Sequence, residues 1–161
     1  MFSQDKIQSQ SKLIKIIDAL KRQGKKIAFT NGCFDILHYG HVKYLEQAKG
    51  KADILVVGLN SDSSLKKIKG KNRPINKQMG RAGVLSALQA VDFVAIFNAE
   101  TPRKLIKLIR PDVLIKGGDW KLDDIVGADS VKAAGGRVLT IPYLKGYSTS
   151  KLIERIAFIC G

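Results

Sequence analysis

Apolar residues first recur at helical spacing at Leu13, Ile16, Ile17 and Leu20, which predicts an amphipathic helix over residues 10 to 23, ended by Gly24. The pattern then changes. A short apolar run predicts a strand from Ile27 to Asn31, and Val42, Tyr44, Leu45 and Ala48 predict a helix over residues 40 to 49. Asp53 to Asn60 is nearly continuous in apolar residues, as a parallel strand buried on both faces requires. A helix from Met79 to Gln89 and a strand from Asp92 to Phe97 follow. Thr101-Pro102 reads as a helix start, with threonine at the cap and proline in the first turn. Leu105, Ile106, Leu108 and Ile109 form that helix's apolar face, and Arg110-Pro111 stops it. Val113 to Ile115 is a fourth strand, a helix lies around Ser130 to Ala134, Val138 to Ile141 is a fifth strand, and a last helix starts near Thr149.

Strands alternating with helices predict an α/β fold, an open parallel five-stranded sheet with helices on both faces. With 161 residues, no internal repeat and no long linker, residues 1–161 read as a single domain, with residues 1–10 as a flexible, polar N-terminus. No apolar run approaches the ~20 residues of a membrane-spanning helix. The N-terminal segment also lacks the apolar core of a signal peptide. Cys33 and Cys160 are too few for a disulfide framework, so a cytoplasmic setting is expected.

Charge narrows the partners. Lys and Arg number 28 against 14 acidic residues, a formal net charge of +14, which favours anionic ligands. Most lysines are spread along helices as a solvated face. The cluster Lys66-Lys67-Ile68-Lys69-Gly70-Lys71-Asn72-Arg73 stands apart and reads as a basic loop. A nucleic-acid-binding module is the rival this charge raises. However, aromatics make up only 7% of the chain and are not interleaved with the lysines as a stacking platform needs.

Open parallel sheets bind ligands beyond the carboxyl ends of their strands. Three unusual segments fall at that edge: Asn31 to His41 after the first strand, Asn60-Ser61-Asp62 after the second, and Lys116-Gly117-Gly118-Asp119-Trp120 after the fourth. Both histidines of the chain, His38 and His41, lie in the first of these, three residues apart where a helix begins. At that spacing both rings address one side, beside free helix N–H groups and a glycine, Gly40, that leaves room for a ligand. Such a site suits phosphoryl or nucleotidyl transfer, which needs alignment and donors for charge on phosphate oxygens. A zinc site is disfavoured: a helical pair is usually spaced i, i+4, and no further ligands cluster nearby. No metal-ligating residues are assigned. A lysine of the basic cluster could swing onto a triphosphate and neutralise charge as pyrophosphate leaves, with Lys69, Lys71 and Arg73 as the first candidates and Lys66 and Lys67 behind them.

Asn31-Gly32-Cys33-Phe34-Asp35-Ile36-Leu37-His38-Tyr39-Gly40-His41 resembles the signature of the His-x-Gly-His nucleotidyltransferase superfamily of cytidylyltransferase-like proteins. Within it, Asn60-Ser61-Asp62, Arg73-Pro74-Ile75-Asn76, Ala90-Val91-Asp92, Lys116 to Asp119 and Ser148-Thr149-Ser150 are most similar to the D-glycero-D-manno-heptose 1-phosphate adenylyltransferase family, here as a stand-alone version without a kinase half. The resemblance runs from about Lys26 to Ile156 and implies a Rossmann-like fold. It implies direct attack of a sugar 1-phosphate on the α-phosphate of ATP, with Mg2+, giving ADP-heptose for the lipopolysaccharide core and pyrophosphate. Glycerol 3-phosphate, phosphopantetheine and nicotinamide mononucleotide are the alternative acceptors. The stretch Tyr143 to Thr149 lacks the arginine of the cytidylyltransferases, which argues against a cytidine nucleotide. A homodimer is also implied, while neither specific nucleic-acid binding nor membrane insertion is.

By the same resemblance His38 and His41 act on the α-phosphate, aided by Lys69 and Arg73. Thr30, Asn31, Gly32, Cys33, Phe34, Gly40, His41, Lys116, Gly117, Gly118, Ser148, Thr149 and Ser150 are expected around the nucleotide. Asp35, Asn60, Asp62, Arg81 and Trp120 are expected around the acceptor. Several have a plainer reading: Asp35 as a turn former or orienter of the loop, Gly117-Gly118 as a turn, Trp120 as packing, and Ser148 to Ser150 as a helix cap. Gln78-Met79-Gly80 departs from the acidic residues the family carries before Arg81, and its glycine weakens the helix start.

Overall fold

The computed structural model describes residues 2–118 and 120–161, so the expectation for Asp119 lies outside the described residues. Elements follow in the order α1 (Ser3–Lys6), α2 (Gln10–Arg22), β1 (Ile27–Gly32), α3 (Tyr39–Lys49), β2 (Ile54–Asn60), α4 (Asp62–Lys69), α5 (Gln78–Ala87), β3 (Phe93–Phe97), α6 (Arg103–Ile109), β4 (Val113–Gly117), a 3-10 turn at Leu122–Asp124, α7 (Ala128–Ala133), β5 (Arg137–Ile141) and α8 (Thr149–Cys160). The five strands form one sheet in the order β3-β2-β1-β4-β5, every neighbouring pair parallel. The expected fold class is thus observed.

Alternation along the strands divides the core in two. Ile27, Phe29, Val56 and Leu114 face Leu13 and Ile17 of α2, Leu105, Ile106 and Ile109 of α6, and Val131 of α7. Ala28, Leu55, Val57 and Ile115 face Tyr44, Leu45 and Ala48 of α3 and Ala82 and Leu85 of α5. Strand order reverses between β1 and β4: the chain builds outward through β2 and β3, then crosses to β4 and β5. The carboxyl ends of β1 and β4 therefore diverge into loops that leave a crevice between them.

Three expectations change. Residues 1–10 were expected to be flexible, but the described part is tied to edge strand β3: Ile7 bridges Val94, Gln8 N donates to Val94 O at 2.9 Å and Gln10 Nε2 to Ile96 O at 3.0 Å. This segment covers an open sheet edge that would otherwise invite pairing. The basic cluster is only partly a loop. Ser61 caps α4 by accepting from Ser64 N at 3.2 Å, Leu65 is buried beneath it, and Lys66, Lys67 and Lys69 ride on its last turns; the chain leaves the helix at Gly70, with φ +95°. Five polar residues in a row, Asn60 to Ser64, masked that helix start. Finally, Pro102 caps α6 and no side chain bonds the cap, so Thr101 is left to line the crevice.

Candidate active site

A cleft of about 660 Å³ opens over the carboxyl ends of β1 and β4. Its floor is the segment after β1, which Phe34 turns through a left-handed conformation (φ 44°) while burying its ring edge-on to His41, with centroids 5.2 Å apart. A side chain at Gly32 would lie 2.9 Å from that ring, so the glycine is required there. Below the floor, Thr30 Oγ1 and Tyr44 OH share a hydrogen bond of 2.5 Å that ties β1 to α3. Thr30, expected at the nucleotide, is fully buried beneath the cleft and acts through this tie.

His38 is the N-cap residue of α3 and His41 sits in its first turn. Their rings stack at 3.8 Å between centroids, 21° from parallel. The Nδ1 atoms of both are buried with no hydrogen-bond partner among the described residues. Burial lowers the His38 pKa, and burial together with the neighbouring His38 lowers that of His41 to about 4. Two stacked rings therefore stand neutral at pH 7, each with one N–H to donate. Gly40 lets them sit this close to the chain: a Cβ there would lie 2.9 Å from Tyr147 Cβ and 3.1 Å from the His38 ring.

Cations surround the floor. Lys69, Arg81, Lys116 and Arg73 all act on the Cys33 thiol, although burial outweighs them and pushes it up. Burial also pulls the Lys116 ammonium down, partly offset by Cys33, and its Nζ lies 5.9 Å from the centre of the half-exposed Trp120 ring. Arg73 Nε donates to Asp35 at 2.6 Å, and that carboxylate also accepts from the backbone N–H groups of Ile75 and Asn76 at 2.9 Å. Burial alone would raise the Asp35 pKa, but these hydrogen bonds win and hold it below its usual range.

Asn31, Gly32, Cys33, Phe34, Asp35, His38, Gly40, His41, Asn60, Lys69, Arg73, Lys116, Gly117, Trp120, Ser148, Thr149 and Ser150 all line this one cleft. The segments after β1, β2 and β4 were expected here from the fold, Lys69 and Arg73 from the basic cluster, and Ser148 to Ser150 from the family resemblance. Ser148 also caps α8, accepting from Lys151 N at 3.1 Å. Some expected roles change. Arg81, expected around the acceptor, does not line the cleft. Its side chain has no exposed surface, and it donates to Asn76 O (2.9 Å), Cys33 O (2.6 Å), Asn60 O (2.8 Å) and Asp62 Oδ1 (2.8 Å). Asp62 is thereby drawn to Arg81 and does not line the cleft. Asn60 and Asp35 line the cleft, with Asn60 Nδ2 donating to Ser64 Oγ at 2.9 Å and both oxygens of Asp35 accepting from Arg73, Ile75 and Asn76. The space over Gly117 and Gly118, expected to face a base or ribose, is taken by Tyr143: a Cβ added at either glycine would lie 2.8 or 2.7 Å from its ring.

Tyr44, Glu100, Asp124, Tyr143 and Tyr147 line the cleft without having been anticipated. Tyr147 lies 6.3 Å from the His38 ring and 5.5 Å from Tyr39. Two tyrosines flanking Gly146 just before the Ser148 cap were a legible signal: aromatic residues in a connecting loop with no apolar periodicity to place them in the core.

The cytidylyltransferase-like family profile matches residues 29–155. The chain is 52% identical over 149 residues to bifunctional protein HldE of Bradyrhizobium sp. strain ORS 278, covering 92% of this chain and 30% of that protein. It is 52% identical over 154 residues to the protein of the same name from Wolinella succinogenes, covering 96% and 32%. The chain thus spans about a third of the length of these curated relatives. Among solved structures, the lipopolysaccharide core biosynthesis protein of Thermoplasma volcanium GSS1 superposes with a TM-score of 0.62 at 28% identity, over 78% of this chain and all of that one.

Proposed function

The chain belongs to the cytidylyltransferase-like family of nucleotidyltransferases, and from that premise we propose that it transfers AMP from ATP to a sugar 1-phosphate, D-glycero-D-manno-heptose 1-phosphate, giving ADP-heptose and pyrophosphate. The observation that carries this reading is the pair of neutral, stacked imidazoles at the N-cap and first turn of α3, lining a cleft that also carries Lys69, Arg73 and Lys116. The choice of heptose rests on the motifs shared with the heptose adenylyltransferases, and it agrees with the name of the Thermoplasma volcanium neighbour.

In this reading an oxygen of the acceptor phosphate attacks the α-phosphorus. A P–O bond forms there as the bond to the bridging oxygen breaks, and pyrophosphate carries the electron pair away. Negative charge builds on the equatorial oxygens, where N–H donors of His38 and His41 and the free N–H groups of the first turn of α3 meet it. Arg73 and Lys69 hold the β- and γ-phosphates, together with Ser148 to Ser150 of the same cleft. Because the donors are fixed by packing before substrate arrives, little reorganisation accompanies the chemical step.

Mg2+ would neutralise charge on the triphosphate. Among the described residues no group of three His, Cys, Asp or Glu side chains comes together. An ion that arrives on the nucleotide and keeps most of its waters needs few protein ligands. Residues 1–161 are read as one transferase domain, and the exposed Ile156, Phe158 and Ile159 of α8 support a homodimer. Among the described residues no helix is long and apolar enough to cross a membrane.

Pyrophosphate release with Mg2+ and ATP or CTP, against heptose 1-phosphate, glycerol 3-phosphate and phosphopantetheine, tests the reading. Release is expected only with ATP and heptose 1-phosphate, and its loss in His41→Ala should reach about 100- to 1000-fold, as for other removed oxyanion donors. Turnover with another acceptor would overturn the heptose assignment. Silence across the panel from folded protein would overturn the transfer itself.

A further inference from the structure

Arg73 enters the cleft from a segment without regular secondary structure, between α4 and α5, yet its guanidinium is held at one edge only. Nε donates to Asp35 Oδ2 at 2.6 Å, while Nη1 and Nη2 have no hydrogen-bond partner among the described residues. The Asp35 side chain is 1% exposed and that of Arg73 21%. The same carboxylate gathers the N–H groups of Ile75 and Asn76, and Asn76 Nδ2 returns a bond to Asp35 O at 2.8 Å. The carbonyl of Asn76 is in turn held by buried Arg81. The turn from Arg73 to Asn76 is therefore wrapped around one anion supplied by the signature loop.

We propose that Asp35 is a positioning residue: by occupying the Nε edge of Arg73 it presents the paired Nη donors to the triphosphate. This rests on the transferase reading above, since the anion that Arg73 meets is the nucleotide's. A guanidinium can divide its edges in this way because its five donors are fixed in one plane, and bidentate contact with phosphate uses two of them. A lysine's three donors radiate from one nitrogen, so it cannot hold Asp35 on one edge and present a coplanar pair of donors to the phosphate on another. The signature loop and the basic segment thereby act as one unit, with Asp35 reaching the substrate only through Arg73.

A double-mutant cycle in ATP affinity, measured by calorimetry, tests this. Asp35→Asn keeps an oxygen for the Ile75 and Asn76 N–H groups but turns an amide toward Nε. Asp35→Asn and Arg73→Ala should each weaken ATP binding by roughly 10- to 100-fold, the range for a hydrogen bond to a charged group, and together no more than Arg73→Ala alone. Added guanidinium ion should restore ATP affinity to Arg73→Ala only where Asp35 is intact, which a merely structural aspartate would not produce. Multiplying losses, or rescue that ignores Asp35, would overturn the proposal. Should Asp35→Asn fail to fold, Arg73→Lys carries the test: it should bind ATP as poorly as Arg73→Ala, and near-normal affinity would refute the need for a divided guanidinium. ATP affinity does not involve the acceptor. A wrong acceptor assignment therefore leaves the cycle readable, and an additive cycle leaves the transferase reading standing.

Discussion

Replacing Arg81 by methionine keeps the volume of the side chain and removes its charge and all four hydrogen bonds. The carbonyl of Asn60 lies in a fully buried contact, and those of Cys33 and Asn76 in partly buried ones. Each carbonyl left without a donor costs roughly 1–3 kcal/mol, the desolvation penalty of an unpaired polar group. Asp62 adds less, because its side chain is 30% exposed and water can take over from the guanidinium. The three penalties will not add fully, since Cys33 and Asn76 can relax toward solvent. The expected loss is therefore about 3–5 kcal/mol, typical of breaking a buried ionic contact by removing one partner. In a domain of this length that lowers Tm by roughly 6–20 °C. Urea denaturation of Arg81→Met and Arg81→Lys against the parent protein measures it. Arg81→Lys should recover only part of the loss, because one ammonium cannot span four acceptors in a plane. A loss below about 1 kcal/mol for methionine, smaller than a single unpaired carbonyl, would refute the reasoning. Unchanged stability with a selective rise in acceptor KM would instead restore a direct acceptor role for Arg81.

Two further outcomes follow from the histidine wall. Because His38 and His41 are held neutral mainly by burial, the charge of a bound triphosphate should raise both pKa values and take up protons. ATP affinity should then strengthen as pH falls from 8 toward 6. Calorimetry in buffers of different ionisation enthalpy should show this uptake, diminished in His41→Ala; equal uptake in both proteins would sink the idea. Gly40→Ala places a methyl 2.9 Å from Tyr147 Cβ and 3.1 Å from the His38 ring. Overpacking costs about 1–3 kcal/mol and the gain in helix propensity returns about 1, so the net loss of stability should stay within about 0–2 kcal/mol. The displaced His38 should lower kcat by at least about 10-fold, and wild-type turnover would show that the ring position is not critical.

The sequence by itself determined the alternation of strands and helices, the two-faced burial of β2, the stop of α6 at Arg110 and the concentration of chemistry at His38 and His41. Each of these is local: periodicity, turn chemistry and a short motif need no partner from elsewhere in the chain. The convergence of that motif with Asn60 and Lys116 followed from the general behaviour of parallel sheets, Ser148 was expected from the family resemblance, and the cleft contains them all. What the tertiary structure alone decided is which charged groups remain free to meet a ligand. Arg81 and Asp35 look like binding residues when read one at a time, yet each is consumed by backbone groups of other segments, at separations of up to 48 residues. Tyr143 and Tyr147 enter the site only because the loop after β5 folds back over β4 and α3. The physical reason is the same throughout. Helix and strand propensities act over a few residues, whereas hydrogen-bond saturation and burial depend on what distant segments bring, and those contacts exist only once the sheet has assembled.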